Sequence, residues 1–215
     1  MRVCFVGNSL THRNHMPLML RRMAAEAGVS FSFAALLPGG QTFEGHWGTI
    51  WDRDTLMGGE WDTVVLQEQS TRPVDGRPAF IEYGSKLGRL AADAGADLVC
   101  YETWALQGRP EMWDGLAASY SELAKGLGAR LAPAGRAWRE ILRVWPEAPL
   151  YTEDGKHPTV YGSWVAALVL ASALFGADPL AAPARLTVAT LELCAVDDEA
   201  AAVGRQAASS VANAV

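Results

Sequence analysis

Val3-Cys4-Phe5-Val6-Gly7-Asn8-Ser9-Leu10-Thr11 is the stretch on which the reading of the chain turns. Its four leading apolar residues are long enough for a buried strand. Over residues 15–27, Met16, Leu18, Met19, Met23 and Ala27 suit one helical face. A strand, a sharp glycine turn and a helix is how an open α/β sheet presents a ligand or a nucleophile at the carboxyl ends of its strands. Ser9 stands where a hydroxyl is exposed beside backbone N–H groups at a helix start, which favour negative charge. The plainer use of Ser9 is as the N-cap of that helix.

The rest of the chain supplies more units of the same kind. Apolar runs at 29–37, 62–66 and 96–101, with a shorter one at 130–132, read as further strands. Helical stretches are expected at 79–94, 111–127, 135–144 and 159–174. Residues 46–56 read as a short helix or a loop packed by Trp47, Ile50 and Trp51. The tail from about residue 179 is expected to pack on the rest, with an Ala-rich helix after Asp197-Asp198-Glu199. Strands alternating with helices argue for a parallel, three-layer α/β sheet. No repeat or linker divides the chain, so residues 1–215 read as one domain.

Composition narrows the function. Half of the 215 residues are hydrophobic and a fifth are charged, which is globular. A net charge of −6 without a Lys/Arg run argues against a nucleic-acid surface. The three cysteines, Cys4, Cys100 and Cys194, are far apart and form no CxxC pair, which suits a reducing compartment. No basic n-region precedes a long apolar stretch, so a cytoplasmic location is expected. The most apolar segment, 164–175, is too short to span a bilayer.

The polar residues of interest follow strands one to four or sit in one late loop, and in a parallel sheet such positions share one rim. Ser9 needs a base, because a free hydroxyl is a weak nucleophile near neutral pH. His12 lies three residues on but points along its helix. His157 sits in a loop before Pro158, with Asp154 three residues earlier. Asp154 can take the proton of one ring nitrogen and leave the other free for Ser9. The plainer reading of that pair is a turn with an exposed histidine. For the oxyanion, the backbone N–H groups of Ser9 and Gly40 are candidates. A side-chain amide from Gln67 or Gln69 is another; either residue could instead satisfy its own loop.

These blocks resemble the SGNH (GDSL-type) hydrolase superfamily. Gly7-Asn8-Ser9-Leu10 resembles its first block, with Asn8 in place of the usual Asp. Gly39-Gly40-Gln41-Thr42 resembles the second, with Gly40 at the oxyanion glycine. Asp154-x-x-His157-Pro158 matches the last. The third block departs: the family's Gly-x-Asn-Asp is replaced by Leu66-Gln67-Glu68-Gln69-Ser70, which looks more like the Gln-Gly-Glu variant of carbohydrate acetylesterase branches. That comparison makes Gln67 the choice for third donor, ahead of Gln69, and moves the expected substrate toward acylated sugars.

The resemblance implies a flavodoxin-like α/β/α sandwich with a five-stranded parallel sheet. It also implies a serine esterase using Ser9, His157 and Asp154 on a small ester and needing no metal or organic cofactor; the charge and the short apolar segments lead to the expectation of no nucleic-acid or membrane partner. The alternatives are a carbohydrate-binding protein with little catalysis, a thioesterase and a lysophospholipase. A nucleotide-binding flavodoxin-like protein is disfavoured, since no Gly-x-Gly-x-x-Gly or Walker pattern follows the first strand, and the Gly-x-Ser-x-Gly elbow of α/β-hydrolases is absent. Trp104, after strand four, and Trp47, after the Gly-rich turn, each have an indole that can offer a flat face to a sugar ring, while the plainer reading of Trp47 and Trp51 is as packing anchors. Glu102 reads as structural, paired with an Arg or a backbone turn, and Arg72 and Arg77 as a solvated loop. His12, His15 and His46 lack the carboxylate spacing of a metal site.

Overall fold

The computed structural model describes residues 1–212. The first half of the chain runs β1 (Arg2–Val6), α1 (Ser9–His12), α2 (Met16–Glu26), β2 (Ser32–Leu36), α3 (Phe43–Gly48), α4 (Ile50–Gly58), β3 (Thr63–Leu66), α5 (Arg72–Asp75) and α6 (Arg77–Asp93). The second half runs β4 (Asp97–Tyr101), α7 (Met112–Leu127), β5 (Arg130–Ala132), α8 (Ala134–Val144), α9 (Val160–Phe175), β6 (Arg185–Val188), β7 (Leu191–Ala195) and α10 (Asp198–Ala212). Strands β1–β5 form one parallel sheet in the order β2-β1-β3-β4-β5. This is the α/β architecture expected from the sequence.

The strands sort their side chains by the period of two. Val3, Phe5, Val65, Val99 and Tyr101 face one core with α2, α8, α9 and α10. Cys4, Val6, Val64, Leu66, Leu98 and Cys100 face the other, with α3, α6 and α7. Helix α9 is apolar nearly all round because it lies against α2, α8, α10 and the edge of the sheet. No helix among the described residues is long and apolar enough to cross a membrane.

The strand order changes direction at β1, with β2 on one side and β3 on the other. Crossovers there leave toward opposite faces, and in open α/β sheets such a switch point, at the carboxyl ends of the strands, is where ligands bind. Residues 7–9 and 67–70 follow those two ends. Two parts of the chain differ from the sequence reading. The ambiguous 46–56 region is two helices, α3 and α4, that meet at Thr49. The tail holds an antiparallel hairpin, β6–β7, ahead of its helix. Its turn uses Ala189 at φ 51°, with none of the glycine or asparagine that marks such a turn in sequence.

Candidate active site

The turn after β1 is built around Asn8. Its backbone is extended, and its Oδ1 accepts the Leu10 N–H at 3.1 Å, so Asn8 rather than Ser9 caps α1. Its Nδ2 donates to the Gln41 carbonyl at 2.9 Å. That bond ties the Gly39-Gly40-Gln41 turn to the Ser9 turn. An aspartate could accept but not donate here, which gives the departure at Asn8 a physical reason. Gly7 is required at the strand end: a Cβ would lie 2.6 Å from Gln67 Oε1.

With the cap taken by Asn8, the Ser9 hydroxyl is free for another partner. Ser9 Oγ and His157 Nε2 are 2.9 Å apart, and His157 Nδ1 and Asp154 Oδ2 are 2.5 Å apart. The carboxylate fixes the tautomer: Nδ1–H faces Asp154, and the Nε2 lone pair accepts the Ser9 proton. The other carboxylate oxygen, Oδ1, accepts the N–H groups of Lys156 and His157 and the Thr152 hydroxyl, each at 2.9 Å. The His157 ring, then the His157 and Lys156 N–H groups, hold the Asp154 carboxyl well below the usual carboxylate range.

Three further contacts hold the His157 loop. Thr152 N–H donates to the His157 carbonyl at 2.9 Å. Asn14, in the left-handed region at φ 55°, donates from Nδ2 to the Pro158 carbonyl at 3.0 Å and to Ser163 Oγ at 2.8 Å. Trp104 donates its indole N–H to the Lys156 carbonyl at 3.0 Å.

Trp104 therefore differs from its sequence reading. It is 1% exposed and stacks on Trp138 with ring centroids 3.8 Å apart and planes within 5°, so neither face is open to a sugar. Trp51 differs in the opposite sense: it is 73% exposed, not a packing anchor. Trp47 is partly buried, with Arg53 and Lys86 near its ring.

Backbone donors for an oxyanion are present at both expected places. Ser9 opens α1, so its N–H has no acceptor within the helix. Gly40 takes φ +70°, open to glycine, and among the described residues its N–H has no acceptor either. The two glutamines divide sharply. Gln67 is buried, and its Oε1 accepts the Asn8 N–H at 3.0 Å and the Thr11 hydroxyl at 2.8 Å. Its Nε2 donates to Asn8 Oδ1 and to the Glu68 carbonyl. Both amide protons are committed, so Gln67 braces the Ser9 turn and offers nothing to the rim, contrary to the sequence reading. Gln69 is partly exposed. Its Oε1 caps α5 by accepting the Thr71 and Arg72 N–H groups, and its Nε2 meets only Ser70 Oγ at 3.2 Å. Among the described residues, its second amide proton has no acceptor.

Two acids lie buried below the rim. Glu68 accepts the Phe43 N–H at 3.1 Å and the Gln69 N–H at 2.6 Å, joining the second and third blocks. Burial pushes its carboxyl up to about 7, opposed by those N–H groups. Glu102 pairs with Arg136 Nε at 3.0 Å, as its structural reading expects, and burial pushes it up to about 7 as well. One polar pair was not singled out from sequence. His46 is fully buried against Asp52 and the Gly7 carbonyl; a histidine and an aspartate six residues apart match no known spacing. A groove of about 750 Å³, lined mainly by residues of α7, β5 and α9, includes none of the residues above except Arg136.

No protein-family model matches the chain. No curated protein matches it in sequence. Solved structures do. A candidate SGNH hydrolase from Slackia heliotrinireducens is 32% identical, with a TM-score of 0.68 over 81% of this chain and 98% of that one. A DUF4886 family protein from Bacteroides uniformis is 16% identical, with a TM-score of 0.76 over 98% of this chain and 94% of that one. The acetyl xylan esterase AlAXEase is 15% identical, with a TM-score of 0.67 over 81% of this chain and 100% of that one. The last two show likeness of fold.

Proposed function

This chain belongs to the SGNH hydrolase superfamily, and from that premise we propose that it is a serine esterase that removes small acyl groups, acetyl first among them, from alcohols such as sugars. The observation that carries this reading is the unbroken line Ser9 Oγ–His157–Asp154 at 2.9 and 2.5 Å.

His157 Nε2 takes the Ser9 proton as Oγ attacks the ester carbonyl. The oxyanion that forms is met by the N–H groups of Ser9 and Gly40, with the free amide proton of Gln69 as third donor in place of Gln67. The imidazolium, stabilised by Asp154, then gives its proton to the departing alcohol oxygen. Water, deprotonated by the same Nε2, attacks the acyl-enzyme; the carboxylic acid leaves and Ser9 recovers its proton. The residues carry these steps without a metal or an organic cofactor.

Two things favour small acyl groups on sugars: the altered third block, and a fold shared with an acetyl xylan esterase. The test is a chain-length series of p-nitrophenyl acetate, butyrate and octanoate, followed by acetylated xylose and a neutral acetylated alcohol. The proposal expects kcat/KM to fall from acetate to octanoate, and acetate to be released from the sugar. A preference for octanoate, or turnover of thioesters alone, would contradict it.

A further inference from the structure

We propose that the buried His46–Asp52 pair is a positioning device for the nucleophile: an imidazolium that grips the Gly7 carbonyl and so fixes the peptide leading into Asn8 and Ser9. The inference rests on Ser9 being the nucleophile.

The geometry decides the state of the ring. His46 Nδ1 lies 2.6 Å from Asp52 Oδ2, and Nε2 lies 2.8 Å from the Gly7 carbonyl oxygen. With Asp52 ionised, the carboxylate and the carbonyl both accept and neither donates, so each ring nitrogen carries a proton. A neutral ring would aim a lone pair at one of them. Both side chains are buried, and a buried cation persists only beside a counter-charge. Asp52 supplies it from the first turn of α4. The nearby Cys4 thiol is pushed up to about 12, by burial first and by Asp52 second, so it stays neutral.

The grip falls where it matters to the chemistry. The Gly7–Asn8 peptide is held at both ends: its carbonyl by His46 and its N–H by Gln67 Oε1 at 3.0 Å. The next residue carries both Oγ and one oxyanion N–H. His46 stands on α3, the helix that follows the Gly39-Gly40 turn. The ring therefore acts with the Asn8–Gln41 bond in setting the spacing between the two backbone donors, Ser9 and Gly40. Stability alone does not account for the pair, because well-packed apolar residues serve as well or better in place of a buried ion pair. Small displacements of reacting groups, by contrast, are costly in rate.

The first test needs only the wild type. In a ¹⁵N-labelled sample near neutral pH, both ring nitrogens of His46 should be protonated, with slowly exchanging protons. A single protonated nitrogen overturns the proposal. The second test uses His46→Leu together with Asp52→Asn, which takes the donor from the Gly7 carbonyl without stranding a buried carboxylate. With sites counted by fluorophosphonate titration, kcat on p-nitrophenyl acetate should fall about 10- to 100-fold, with KM within about twofold. His46→Gln with Asp52→Asn supplies a neutral donor to the same carbonyl and should recover most of kcat. An unchanged kcat per titrated site in the leucine variant, with only a lower melting temperature, refutes the positioning role. A wild type that neither turns over nor titrates defeats the esterase reading instead, a result distinct from the ring's protonation.

Discussion

Replacing Trp104 by phenylalanine separates two uses of that ring. In the structure the indole is buried, stacked on Trp138, and donates to the Lys156 carbonyl, one residue before the general base. Phenylalanine leaves that carbonyl without its partner, at about 1 kcal/mol for a neutral hydrogen bond. It also empties the space of the five-membered ring and trims the stacked area, at about 1–2 kcal/mol. The sum is a loss of about 2–3 kcal/mol, read by urea denaturation. Because the freed carbonyl lies in the His157 loop, kcat should fall as well, with KM for sugar esters and simple esters moved alike. Stability within about 0.5 kcal/mol of the wild type, together with a rise in KM confined to sugar esters, would refute the reasoning and return Trp104 to the role of a sugar platform.

Other expectations follow from the same geometry. Asp154→Asn keeps the loop's size but frees the wrong tautomer, so kcat should fall by about 10²–10⁴ with little change in KM. Gln67→Ala should cost stability, about 1–3 kcal/mol for the partners it strands, whereas Gln69→Ala should lower kcat with a smaller stability loss, about 0.5–1 kcal/mol for the α5 N–H groups it uncaps. If the two effects are exchanged, the assignment of the third donor is wrong. Glu68 is raised from 4.5 to about 7 in the fold. Its contribution to stability is thus complete below about pH 4.5, declines as pH rises toward about 7, and is level above that. Glu102 behaves alike, so Glu68→Gln should remove part of the decline between those values, measured by denaturation at a series of pH values.

Much of this was legible because the chemistry constrains the sequence. A parallel sheet needs short apolar runs at regular intervals, and these predicted β1 to β5 within a few residues. A nucleophile on a turn, a glycine turn after the second strand and an acid three residues before a histidine are local patterns. The fold brings Ser9, His157 and Asp154 within hydrogen-bond reach. What was not legible depends on the direction of side chains. Gln67 and Gln69 follow the same strand, yet one turns under the Asn8 peptide and the other toward α5. Trp104 follows β4 as a rim residue would, but its ring is drawn inward by Trp138, thirty-four positions away. His46 and Asp52 meet only because α3 and α4 join at a kink near Thr49. The β6–β7 hairpin was missed because an alanine adopts the turn conformation that glycine usually marks.

The most direct test of the central claim is mass analysis of the intact chain after saturating fluorophosphonate, wild type beside Ser9→Ala. The account expects a single phosphonyl adduct on the wild type, mapped to Ser9, lost together with ester turnover in Ser9→Ala. An unlabelled wild type, or an adduct that persists in Ser9→Ala, would contradict it.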